Sequence, residues 1–193
     1  MLESRAPRSP SQRARSRRAG LSTIEVATLV SVVGTLLAVA LPTLGRSVRP
    51  SKLTEASQQL DALYSAVAAY YATPRPAANG GSTYCLPAPA GPTPETPSVS
   101  PLRSDFTAQS AQGASTWKDL GFTPSVPLRF RYSFAPAAWG CTRNVSDGRM
   151  LVLRAEGDLD GDGLYSSFER HAQVLPAGKL QPDPVLHVQD RIE

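Results

Sequence analysis

Residues 17–44, RRAGLSTIEVATLVSVVGTLLAVALPTL, constrain this chain more than any other stretch. From Val26 to Leu44 there are 19 residues without a charge, close to the ~20 apolar residues with which a helix crosses a bilayer. Gly34 and Pro42 are both tolerated in such a helix. Six arginines fall in the first 18 positions, whereas Arg46, Arg49 and Lys52 follow the run. That asymmetry places the N-terminus in the cytoplasm and residues 45–193 outside it. Glu25 does not fit the apolar pattern. A carboxylate at the edge of hydrocarbon is costly unless something pairs with it.

Three readings of this segment compete. The run is an uncleaved anchor, or it is an ordinary signal peptide cut after Ala38-Val39-Ala40. In the third reading the cut falls earlier, between Gly20 and Leu21, and the apolar helix stays on the mature chain. The third gives Glu25 a partner, because cleavage turns Leu21 into a new α-amine. Glu25 is then the fifth residue, one helical turn from its own amine and within reach of a neighbouring subunit's.

The arginine-rich leader, Gly20, Leu21, the Ser22-Thr23-Ile24-Glu25-Val26 segment and the apolar run with Pro42 together resemble a type IV prepilin. The resemblance implies that a prepilin peptidase cuts after Gly20 and methylates the new N-terminus at Leu21. It implies that Glu25 guides subunit packing. Phenylalanine is usual where this chain has Leu21. The implied partners are the prepilin peptidase, other pilin subunits and an inner-membrane assembly platform. The implied location is a single-pass inner-membrane precursor with its C-terminal domain in the periplasm, which leaves the membrane for a filament.

Residues 51–72 place Leu53, Ala56, Leu60, Leu63, Val67 and Tyr70 at three–four spacing, one face of an amphipathic helix. Pro50 is expected to kink this helix or divide it from the first. Eight prolines then fall between Pro74 and Pro101. That density predicts an irregular or extended connector over 73–127, with a short helix near 115–122. LRFRYSFA (128–135) alternates as a half-buried strand, and RMLVLRAE (149–156) reads as a more central one. Weaker strands are expected at 167–174 and 185–189. The segments are thus a leader (1–20), an apolar helix (21–44), an amphipathic helix (45–72), the connector (73–127) and a sheet (128–193). The fold class expected is α+β and pilin-like: a long N-terminal helix, membrane half plus amphipathic half, packed on a small antiparallel sheet.

Two further features lie beyond the helices. Cys85 and Cys141 are the only cysteines. An even count outside the cytoplasm predicts a disulfide, the alternative being two buried thiols. DLDGDGLYSSFE (158–169) fits the calcium-loop spacing D-x-D-x-D-G-x5-E. Asp158, Asp160 and Asp162 would supply carboxylates, Leu164 its carbonyl and Ser166 a direct or water-mediated contact. Glu169 would close the shell around Ca2+. The alternative is a solvated Asp/Gly turn. No helix precedes this loop, and no second loop pairs with it.

No Ser/His/Asp, Cys/His or zinc-ligand constellation is legible, and His171 and His187 read as surface residues. No enzyme is expected. Without residues 1–20, which hold six of the 20 basic residues and one of the 16 acidic, the chain carries about −1. Nucleic-acid binding therefore has no electrostatic motive. The expected function is a structural subunit of a type IV pilus-like filament. Its rivals are a pseudopilin of a type II secretion system and a calcium-binding extracytoplasmic module, anchored or secreted by ordinary signal cleavage.

Overall fold

A computed structural model describes residues 22–77, 80–141 and 148–189, with the side chains of 39–53 excepted. Helix α1 runs from Thr23 to Ala72. Two very short strands follow, β1 (Arg75–Pro76) and β2 (Ser82–Thr83), paired with each other. Then come β3 (Ala90–Thr93), helix α2 (Ala114–Leu120), β4 (Arg131–Pro136), β5 (Met150–Gly157), β6 (Ser166–Leu175) and β7 (Lys179–Gln189). Strands β3 to β7 form one antiparallel sheet in sequence order, with β5 central.

The expected fold class requires correction. No helix among the described residues is long and apolar enough to cross a membrane. The predicted long N-terminal membrane helix joined to an amphipathic half is therefore not what the structure has. Taken over its whole length, α1 also favours no one side with its apolar residues. The chain divides into two units, Met1–Arg46 and Ser47–Glu193. In the first, every described side chain from Ser22 to Ala38 is exposed.

In the second unit Ala56, Leu60, Leu63, Val67 and Tyr71 are completely buried in the core. Tyr71, not Tyr70, continues the stripe. Its hydroxyl donates to the Leu175 carbonyl at 2.9 Å, while Tyr70 is half-buried beneath the Arg75 guanidinium. Glu55 accepts the backbone N–H of Arg129 at 2.6 Å, just before β4, and Asp61 pairs with Arg170 of β6. Backbone helix continues through Pro50. The predicted kink or break there is not seen as an interruption of α1.

The sheet is also larger than predicted, because the connector supplies its first edge. Strand β3 contains Pro92, and the opposite edge β7 contains Pro182 and Pro184. Proline cannot donate to a ladder, so it suits an edge and discourages pairing with a further strand. Gly91 is obligatory: its φ is +88°, and a Cβ there would run into the Tyr132 carbonyl oxygen. The connector further buries Phe106, Trp117 and Phe122 against Tyr132 of β4, with ring centroids 5.3–6.4 Å apart. Trp117 donates its indole N–H to Thr93 Oγ1 at 3.1 Å, so the buried ring leaves no unsatisfied donor.

Candidate functional site

Three places carry the candidate residues. The first is the start of α1. Ser22 precedes the helix, and its hydroxyl accepts the Glu25 N–H at 3.3 Å. The Glu25 carboxylate reaches back to accept the Ser22 N–H at 2.8 Å. This reciprocal pair is a capping box, which satisfies donors that a helix start otherwise leaves open. Glu25 therefore already has a partner within the chain. The S-x-x-E pattern at 22–25 is the sequence signal of such a helix start. Beyond it, Thr28 and Thr35 turn their hydroxyls onto the helix's own carbonyls, Ile24 at 3.0 Å and Ser31 at 2.6 Å. At Thr28 and Thr35 the hydroxyl is thereby satisfied within the helix. Gly20 and Leu21, the predicted cleavage and methylation positions, lie outside the described residues.

The second place is the turn between β5 and β6. Carboxylate oxygens of Asp158, Asp160 and Asp162 lie within 4.8 Å of one another. Loop N–H groups hold them in place: Asp158 accepts from Gly161 at 2.7 Å and from Gly163 at 3.2 Å, and Asp162 accepts from Leu164 at 2.8 Å. Gly161 and Gly163 take φ near +90°, as such a turn requires. Of the other predicted ligands, Leu164 touches the cluster through its N–H to Asp162, whereas Glu169 is not part of it. The Ser166 side chain is buried in the sheet's core. Glu169 stands three residues along β6, opposite Arg154, roughly 10 Å further on at strand spacing. It is held there by Arg154 at 2.7 Å and His171 at 2.8 Å. A strand leaves this loop, not a helix, so position twelve is carried away from the aspartates. Cys85 and Cys141 are disulfide-bonded, joining the connector to the chain beyond β4.

The third place was not read as a site from the sequence. On β6 and β7 the imidazoles of His171 and His187 stack, 4.4 Å between centroids and 23° between planes. Glu169 lies 2.8 Å from His171 Nε2, and Asp183 lies 3.2 Å from His187 Nε2. Partial burial alone would raise the Glu169 carboxyl, but the His171 hydrogen bond and Arg154 outweigh it and hold it below the usual carboxylate range. The Val185 N–H, and then His187, hold Asp183 below its ordinary value as well. Strand alternation already put 169 with 171 and 183 with 187. Only the register of the β6–β7 hairpin puts the two pairs together, and that register contains an irregularity.

No protein-family model, curated protein or solved structure matches the chain. A functional reading must therefore rest on these residues.

Proposed function

We propose that this chain is a structural subunit of a type IV pilus-like filament. In this reading a prepilin peptidase cuts the precursor between Gly20 and Leu21 and methylates Leu21. An inner-membrane assembly platform then adds the subunit to others like it. The arginine asymmetry around the apolar run supports a precursor at the inner membrane with residues 45–193 on its periplasmic side.

The observation that carries the reading is the bare apolar helix. From Ile24 to Leu37 eight large apolar side chains are 45–76 % exposed. Covering them is worth on the order of 10 kcal/mol, at roughly 1–2 kcal/mol each. Monomeric proteins rarely leave such a surface in water. In the assembled filament this surface is covered by the same helix in other copies. Glu25 has two uses here: it caps its own helix, and its charge answers the α-amine that cleavage creates on a neighbour.

Calcium enters the reading only at the Asp158–Asp162 turn. Three clustered carboxylates fit a hard oxygen-seeking cation. Glu169 does not belong to that set.

Two substitutions at Glu25 test the proposal, together with mass spectrometry of the mature N-terminus from native membranes. The mass should correspond to a chain starting at Leu21 with one added methyl group. A capping box accepts glutamine as well as glutamate. Glu25→Gln thus keeps the helix start and removes only the charge, while Glu25→Ala removes both. Both variants should be processed and both should assemble poorly. A chain starting at Leu41, or normal filaments from Glu25→Gln, would overturn the reading.

A further inference from the structure

We propose that the outer face of the β6–β7 hairpin is a binding site for a first-row transition cation that favours imidazole, zinc foremost, held by His171, Asp183 and His187. This goes beyond the filament reading and does not rest on it.

The site arises from a break in register. Arg170 faces Leu186 and Ala172 faces Pro182, so His171 alone stands opposite Asp183, Pro184 and Val185. A bulge of this kind on an edge strand re-aims side chains. Here it brings Asp183 under His187 and His187 over His171. The chain has only two histidines, 16 positions apart, and they meet face to face at 4.4 Å.

The charge pattern favours a cation. Two carboxylates, Glu169 and Asp183, each face one ring nitrogen. Neutral imidazoles present lone pairs to a divalent cation, and the Asp183 carboxylate beside them adds a negative ligand. Other charged groups facing the rings are Arg154, which is spent on Glu169 at 2.7 Å, and no further cation is paired to this cluster among the described residues.

Distance and ligand type agree. One donor atom from each of His171, Asp183 and His187 lies within 4.8 Å of the others. Zinc bonds of ~2.0–2.2 Å need donors ~3.3 Å apart, a closure that half-exposed side chains make by rotation. The stacked rings must splay so that both lone pairs meet one point. Two imidazoles and one carboxylate select zinc, copper or nickel over calcium and magnesium. Glu169, tied to Arg154, stands beside His171 as the carboxylate that steadies the ring. Three protein ligands leave one position for water. A bound ion would fasten edge strand β7 to β6.

The test uses the full chain, untagged and purified in mild detergent, and titrates it calorimetrically with Zn2+ alone. We expect about one Zn2+ per chain with a dissociation constant on the order of 1–10 µM. His171→Ala and His187→Ala should each weaken binding by at least roughly ten-fold, with the metal-free chain still unfolding cooperatively. Asp158→Asn with Asp160→Asn should leave Zn2+ binding as it was, which separates this site from the acidic turn. Co2+ should give visible ligand-field bands that vanish in His187→Ala. Absence of Zn2+ binding at about 1 mM, or equal affinity in His187→Ala, would overturn the site.

Discussion

Tyr132 shows how much a single side chain in this core depends on its surroundings. Burial first, and then the Glu55 carboxylate beside it, push its phenol far above the usual tyrosine range. Its folded value is raised, so the stabilising difference is whole below the unfolded value of 10.0 and is lost as pH rises past it. Above that point the unfolded chain ionises and the folded one does not. Stability should fall by about 1.4 kcal/mol per pH unit from this residue alone. Denaturant melts of the wild type and Tyr132→Phe between pH 8 and about 11 check it: the phenylalanine variant should lose less. Parallel pH profiles would mean that Tyr132 is not the group responsible. At this same scale the sequence was only partly legible. The alternation Leu128, Phe130, Tyr132, Phe134 was visible, and all four are buried. Ser22 and Glu25 also formed a visible capping pattern. The meeting of His171 with His187 was not visible, because no spacing rule foretells a bulge on β7.

At the level of elements, the turn between β5 and β6 is the place where pattern and fold diverge. The twelve-residue spacing was correct as a string, and in an EF-hand a helix follows that loop. Here β6 follows, and Ser166 and Glu169 alternate to opposite faces of the sheet. A calcium ion at Asp158, Asp160 and Asp162 would lack its closing bidentate ligand. Binding should therefore be weak, with a dissociation constant of about 1 mM. Glu169→Gln should leave it unchanged, whereas Asp158→Asn should abolish it. Melting curves with Ca2+ or a chelator measure both. A strong Glu169 dependence would show that the loop rearranges around the ion. The connector diverged for a related reason. Proline density rightly excluded a central strand, but it did not exclude an edge, and β3 pairs with β4 there. Its aromatic residues gave no periodic signal, because Phe106, Trp117 and Phe122 reach the core from loops and a seven-residue helix.

For the whole molecule, the two units depend on different forces. In the first, the described side chains from Ser22 to Ala38 are exposed. Residues 47–193 hold their own core, with the Cys85–Cys141 disulfide closing a loop with a sequence separation of 56. In the chain-entropy model such a link is worth about 4 kcal/mol. Beside it, Leu86 and Gly140 exchange backbone hydrogen bonds of 3.1 and 2.8 Å, which hold the same two segments locally without constraining the unfolded chain. Replacing both cysteines by serine should therefore keep the fold but lower its melting temperature by about 10 °C, measured by calorimetry in oxidising buffer. The same variant tests whether the units are separable in function. The cleavage proposed after Gly20 would act far from both cysteines in the sequence, so under that proposal the N-terminal mass should still begin at Leu21. A chain that is no longer cut would show that processing senses the folded sheet. A melting temperature that does not move would show that the loop was already closed by the Leu86–Gly140 pairing and the core behind it.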